Sequence, residues 1–122
     1  MVKILVVEDE ESIRGLWKMM LENSGYEVAT AANGPEAVEK FEREKPDLVL
    51  LDVILPRMNG IAVCKELKNR MGNTGEVPVI MCTVLEDEDH RKMAKEAGCD
   101  GYFVKCSPAD LVREVKKYLK ST

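Results

Sequence analysis

The sequence predicts an α/β domain: a doubly wound parallel sheet with helices on both faces. Two observations predict it. Short apolar, β-branched-rich runs alternate five times with stretches of helical periodicity, the pattern of successive βα units. The apolar runs are also unbroken rather than alternating with polar residues, as strands covered on both faces must be. With 122 residues, one domain spanning 1–122 is expected, large enough to hold a core without disulfide or structural metal.

Each element follows from local chemistry. Ile4-Leu5-Val6-Val7 is the first strand and breaks into Glu8-Asp9-Glu10-Glu11. Ser12 is then expected to cap a helix whose apolar positions Ile13, Leu16, Trp17, Met20 and Leu21 form one stripe, stopped at Asn23-Ser24-Gly25. A second strand over about 27–31 leads to Asn33-Gly34-Pro35, with Pro35 suited to the first helical position and Ala37, Val38 and Phe41 as the buried stripe. Leu48-Val49-Leu50-Leu51 is the most apolar strand and stops abruptly at Asp52. Asn59-Gly60 opens a third helix carrying Ile61, Cys64 and Leu67, and 69–76 reads as a loop. A fourth strand over 77–82 ends at Thr83; a polar helix over about 87–97 ends at Gly98; a fifth strand over 101–104 ends at Lys105. Ser107-Pro108-Ala109-Asp110 opens the last helix, with Ser107 as cap and Leu111, Val115, Tyr118 and Leu119 as its stripe.

Composition excludes several functions. A net charge of -4 offers no basic face for a nucleic-acid backbone, so no direct nucleic-acid partner is expected. The four cysteines form no C-x-x-C pair and the lone His90 has no Cys at helical spacing, which argues against zinc. Cys64 and Cys82 read as core residues. The opening Met1-Val2-Lys3 runs into a strand without a secretory leader, and no apolar run approaches the ~18 residues of a membrane span. A cytoplasmic protein without membrane partner is expected. The chain stops just after the fifth helix, so a stand-alone module is expected.

In an open parallel sheet, ligands bind beyond the carboxyl ends of the strands. Those ends carry Glu8-Asp9, Asp52, Thr83 and Lys105. Each alone is an ordinary loop entrance; together they are three carboxylates, a hydroxyl and an ammonium on one edge. Crowded carboxylates repel unless a cation intervenes. Oxygen ligands with room for water suit Mg²⁺, and a carboxylate can act as a nucleophile toward phosphorus. Phosphoryl transfer asks mainly for charge neutralisation and positioning, which Mg²⁺, Lys105 and Thr83 would supply to Asp52.

These blocks resemble the receiver domain of two-component response regulators (CheY-like) along essentially the whole chain. The matching pieces are Val6-Val7-Glu8-Asp9-Glu10, Leu48 to Asp52 with Pro56 and Asn59-Gly60, Pro78 to Thr83, and Ala97 to Lys105. The resemblance implies a flavodoxin-like (βα)5 fold with strand order 2-1-3-4-5; that example in the general rule for open sheets is itself a receiver. It implies Glu8, Asp9, Asp52 and the Ile54 carbonyl as Mg²⁺ ligands, and Asp52 as the residue converted to 4-aspartylphosphate. Thr83 would swing toward the phosphoryl group, Lys105 would pair with it, and Tyr102 would change rotamer as the switch is thrown. A histidine kinase or histidine phosphotransfer protein would be the phosphodonor, docking beside the first turns of helix one. A downstream protein, or a phosphorylation-dependent homodimer, would read the surface of helix four, strand five and helix five.

The sequence departs from the family pattern at three places. Cys106 stands where proline, often with a cis bond, usually follows the lysine. Val84 stands where a small residue is usual, and should narrow access to the phosphoryl group. Ile54 and Leu85 occupy positions where some relatives carry polar side chains that orient water, so slow self-dephosphorylation is expected. A Mg²⁺-dependent phosphatase is the alternative from another class, but it ordinarily needs a second carboxylate two residues after the nucleophile, where Ile54 lies. A non-phosphorylated binding module of the same fold is a further alternative, and the intact acidic, hydroxyl and lysine set argues against it. A flavin binder would need a hydroxyl- and glycine-rich loop after strand one.

Overall fold

In the computed structural model, residues 1–72, 77–104 and 108–119 are described. The elements follow in order as β1 (Lys3–Val7), α1 (Glu11–Asn23), β2 (Glu27–Ala31), α2 (Gly34–Glu44), β3 (Leu48–Leu51), α3 (Gly60–Met71), β4 (Val79–Thr83), α4 (Glu88–Glu96), β5 (Gly101–Val104) and α5 (Pro108–Leu119). The strands form one parallel sheet in the order β2-β1-β3-β4-β5. Fold class and strand order are those expected.

The unbroken apolar runs have a direct physical cause. Successive side chains of a strand point to opposite faces, and both faces are covered. Leu5 and Val7 join Val49, Leu51, Val79 and Met81 in one cluster with Val63, Leu67 and Ala94 from α3 and α4. Ile4 and Val6 join Leu48, Leu50, Ile80 and Cys82 in the other, against Trp17 and Leu21 of α1 and Leu111 and Val115 of α5. Every residue of β3 and β4 is buried, whereas β2 and β5, at the sheet edges, are mostly half-buried.

Caps and stops correct several expectations. Helix α1 begins at Glu11, so Ser12 lies inside its first turn and Glu10 takes the cap position without a side-chain capping bond. The chain reverses earlier than expected because the preceding turn is closed by other groups, described below. Leu16, placed in the stripe, is exposed. In α2, Asn33 is the cap and accepts from Glu36 N, making Gly34 the first helical residue and Pro35 the second. Glu36 in turn accepts from Ala32 N at 2.8 Å, a reciprocal cap. Helix α3 continues through Asn69 to Met71, and β4 starts at Val79 rather than Val77. Of the loop expected over 69–76, Gly72 is described as non-helical and 73–76 lie outside the described residues. The expectations for Lys105, for the peptide before Cys106 and for Ser107 as a cap lie outside the described residues. No helix among those described is long and apolar enough to cross a membrane.

The amino ends of β4 and β5 are tied together. Asp100, just before β5, accepts from Val79 N at 2.8 Å and from Lys68 Nζ at 2.7 Å, while Lys68 Nζ also donates to Val77 O at 3.1 Å. The Asp100 N–H closes the loop on Val79 O at 2.8 Å.

Candidate functional site

At the carboxyl edge, the parallel registers bring the predicted residues to adjacent strand ends. Val7 lies opposite Leu51, so the next residues, Glu8 and Asp52, leave neighbouring strands together. Both are buried, at 1% and 4% exposure. Asp52 N donates to Val7 O at 3.2 Å and Glu8 N to Ala31 O at 3.1 Å, which carries the ladder one residue past each strand. Asp52 Oδ1 accepts from Ile54 N at 3.1 Å, and Glu8 Oε2 from Glu10 N at 3.1 Å. Burying a carboxylate is costly unless hydrogen bonds or a cation offset the lost hydration. Two such groups side by side mark the place where charge is meant to be handled.

Gly60 holds the other side of Asp52. Its N–H donates to Val53 O at 2.7 Å, and a Cβ there would run into the Asp52 carbonyl oxygen. Backbone meets backbone at that point, so only glycine lets α3 start against the strand end. Asn59, as its cap, accepts from Ala62 N at 2.9 Å.

Thr83 closes β4 fully buried, and its Oγ1 accepts from Leu85 N at a long 3.4 Å. Thr83 lies opposite Val104 on β5, the residue before Lys105; Lys105 itself is outside the described residues. Asp9 is exposed at the mouth of the edge. Val84 and Ile54 flank it as exposed apolar groups, 58% and 51% accessible. Val84 thus projects into solvent beside the edge.

Tyr102 lies on β5, half-buried, and its hydroxyl donates to Leu85 O at 2.8 Å. Burial pushes its phenol above the usual range, so it stays a neutral donor at ordinary pH. Arg91 of α4 sits over the ring at 4.8 Å from its centre, and its Nη1 donates to Tyr102 O at 3.4 Å. Sequence reasoning missed Arg91. Its spacing on a polar helix gives no sign that it reaches β5.

Arg14 was missed as well. Its Nη1 donates to Glu8 O at 2.9 Å and to Asp9 O at 3.3 Å, and these bonds bridge the turn ahead of α1, where Ser12 was expected to cap the helix. A basic residue one helical turn beyond an acidic turn was the available signal.

The donor set can be tested against a hard divalent cation. Among the described residues, no three carboxylate, imidazole or thiol groups gather closely enough to hold a metal. Magnesium keeps several waters and asks for only one or two carboxylates with other oxygens. Glu8 and Asp52 on adjacent ends, with the Ile54 carbonyl two residues beyond, meet that in kind. Among the described residues, Cys64 is buried in the core, and burial pushes its thiol up to about 12.

The chain is similar to known proteins over nearly its whole length. Residues 4–116 match the family described as the response regulator receiver domain. The chain is 45% identical over 119 residues to the alkaline phosphatase synthesis transcriptional regulatory protein PhoP of Bacillus subtilis, covering 97% of this chain and 48% of PhoP. It spans about half the length of the curated relatives it matches. Its fold is similar to the BeF3-activated N-terminal receiver domain of Klebsiella pneumoniae RstA, with TM-score 0.89, 30% identity and coverage of 98% and 99% of the two chains. It is equally similar to the chemotaxis protein CheY4 of Vibrio cholerae, with TM-score 0.89, 30% identity and coverage of 97% and 98%.

Proposed function

Because this chain belongs to the receiver domain family of two-component response regulators, we propose that Asp52 accepts a phosphoryl group from a histidine kinase or a histidine phosphotransfer protein. The observation that carries the reading is the pair of buried carboxylates, Glu8 and Asp52, on adjacent strand ends. An Asp52 oxygen attacks phosphorus in line. The new P–O bond forms as the P–N bond to the donor imidazole breaks, and the departing nitrogen keeps that electron pair. A magnesium ion held by Glu8, Asp9, Asp52 and the Ile54 carbonyl would supply positive charge against the phosphoryl oxygens.

The remaining residues answer the new charge. Phosphorylation adds about 1.5 to 2 negative charges and three acceptor oxygens. The Thr83 hydroxyl turns from its long bond with Leu85 N toward the phosphoryl group, Lys105 pairs with it, and Tyr102 takes up the space Thr83 leaves. Moving a switch from 1% to 99% active requires about 5.5 kcal/mol of differential stabilisation. Two charge-assisted hydrogen bonds, at about 1.5–3 kcal/mol each, come close to that figure. The surface of α4, β5 and α5 then changes, for a downstream protein or a second copy of the chain to read. Ile54 and Leu85 offer no polar group to orient an attacking water, which supports a long-lived phosphorylated state.

A stand-alone signalling or phosphorelay protein is the first form of this proposal. The relatives' doubled length favours a second form, in which the changed surface acts on a further segment of the same polypeptide. Intact mass after incubation with acetyl phosphate and Mg²⁺ tests the shared core. The parent should gain about 80 Da and Asp52→Asn nothing; an equal gain in both would end the proposal.

A further inference from the structure

We propose that Arg14 is a positioning residue for the acidic turn, holding Glu8 and Asp9 in the arrangement that receives the divalent cation. The inference rests on the reading of Glu8, Asp9 and Asp52 as cation ligands, and adds to it a residue outside the ligand set.

The last ladder bond before the turn from β1 into α1 is Glu8 N to Ala31 O, and α1 starts at Glu11 without a side-chain cap. Within the turn the Glu8 carboxylate accepts from Glu10 N at 3.1 Å, while Asp9 and Glu10 are exposed. Over the same turn, one nitrogen of Arg14, with two hydrogens to give, bonds both the Glu8 and the Asp9 carbonyl oxygens. Arg14 is itself anchored, since its N–H donates to Glu10 O at 2.9 Å. The guanidinium, the two carbonyls and the first turn of α1 thereby form one closed ring of contacts.

What Arg14 bonds is as telling as its position. Both bonds are to main-chain carbonyls. A clamp on these two carbonyls sets the chain path from which the Glu8 and Asp9 side chains project. The positive charge also lies close to this acidic edge, where it offsets repulsion while the cation is away. As a bare charge Arg14 would repel a cation, so clamp and charge make opposite predictions. Groups that orient ligands in this way commonly matter about 10- to 100-fold in metal affinity.

Magnesium titration of the full chain by calorimetry tests this, alongside the Mg²⁺ concentration giving half-maximal phosphorylation by acetyl phosphate. Arg14→Met should weaken Mg²⁺ binding about tenfold while leaving the phosphorylation rate at saturating Mg²⁺ and the metal-free melting temperature close to the parent's. Arg14→Lys, which keeps the charge and shortens the reach, should recover part of the loss. Unchanged or tighter binding by Arg14→Met would overturn the proposal. Should that variant fail to fold, unchanged binding by Arg14→Lys would do the same. A parent that binds no Mg²⁺ would overturn the ligand reading and this inference with it; a parent that binds while both variants match it overturns only the clamp.

Discussion

The two halves of the sheet are built to different standards. Around β1 and β3 the edge is closed. Glu8 and Asp52 are buried and hydrogen-bonded, Arg14 closes one turn, Gly60 is wedged against the other, and α3 buries four residues. Around β4 and β5 it is looser. Helix α4 buries only Ala94, no described residue of β5 is fully buried, Val84 projects into solvent, and Thr83 has a long bond to Leu85 N. On the proposed function, the difference separates two tasks. Groups that receive charge must be placed before it arrives, and groups that report it must be able to move at modest cost. Regions that move in switching come from the less stable parts of a fold.

The contrast can be broken at its strongest point. Leu50→Ala, on the buried central strand, should lower unfolding free energy by about 2–5 kcal/mol, whereas Met93→Ala on the exposed side of α4 should stay within about 0.5 kcal/mol. Denaturant titration would measure both, and equal losses would erase the distinction. The lifetime of the phosphorylated form comes next. Leu85→Glu, which puts a water-orienting carboxylate beside the edge, should shorten it by about tenfold in a phosphate-release time course. A parent half-life of seconds, unchanged by that substitution, would count against the long-lived state.

Smaller effects sharpen the comparison. Tyr102→Phe removes the bond to Leu85 O and should cost about 1 kcal/mol. The loss should show as faster hydrogen exchange in the β4–α4 loop, with the β1–α1 turn unaffected. The smallest effect concerns pH. The Ala32 N–H, then Lys40, hold the Glu36 carboxyl below its ordinary value of 4.5. A carboxyl lowered on folding stabilises above its unfolded pKa, and that contribution disappears as pH falls through the folded one. Glu36→Gln should therefore lower stability slightly at neutral pH and flatten the fall below about pH 4.5. A parallel acid limb in parent and variant would show that the cap contributes nothing measurable.

Much of this was legible in the sequence because the signals were local. β2, β3 and β5 lie at the expected residues, and β3 and β5 are short apolar runs between polar or glycine stops. The placement of Glu8, Asp52 and Thr83 at strand ends on one edge could be read because each follows or closes an apolar run. What escaped notice depends on reach. Arg14 returns to a turn five and six residues behind it, and Arg91 joins a ring 11 residues ahead. Neither leaves a periodic mark. The misplaced cap at Ser12 has the same root, because a capping residue is recognisable only when its own side chain does the capping.

The Asp100–Lys68–Val79 tie has a mechanical consequence for the opposite end of the sheet. With the starts of β4 and β5 fastened to each other and to α3, these strands cannot slide as units along the sheet. On the proposed phosphorylation of Asp52, a push delivered near Thr83 would appear as an angular opening about that anchored foot, largest at the tips. Displacement at that rim would then become a tilt of α4, in the manner of a lever with its fulcrum at the far edge.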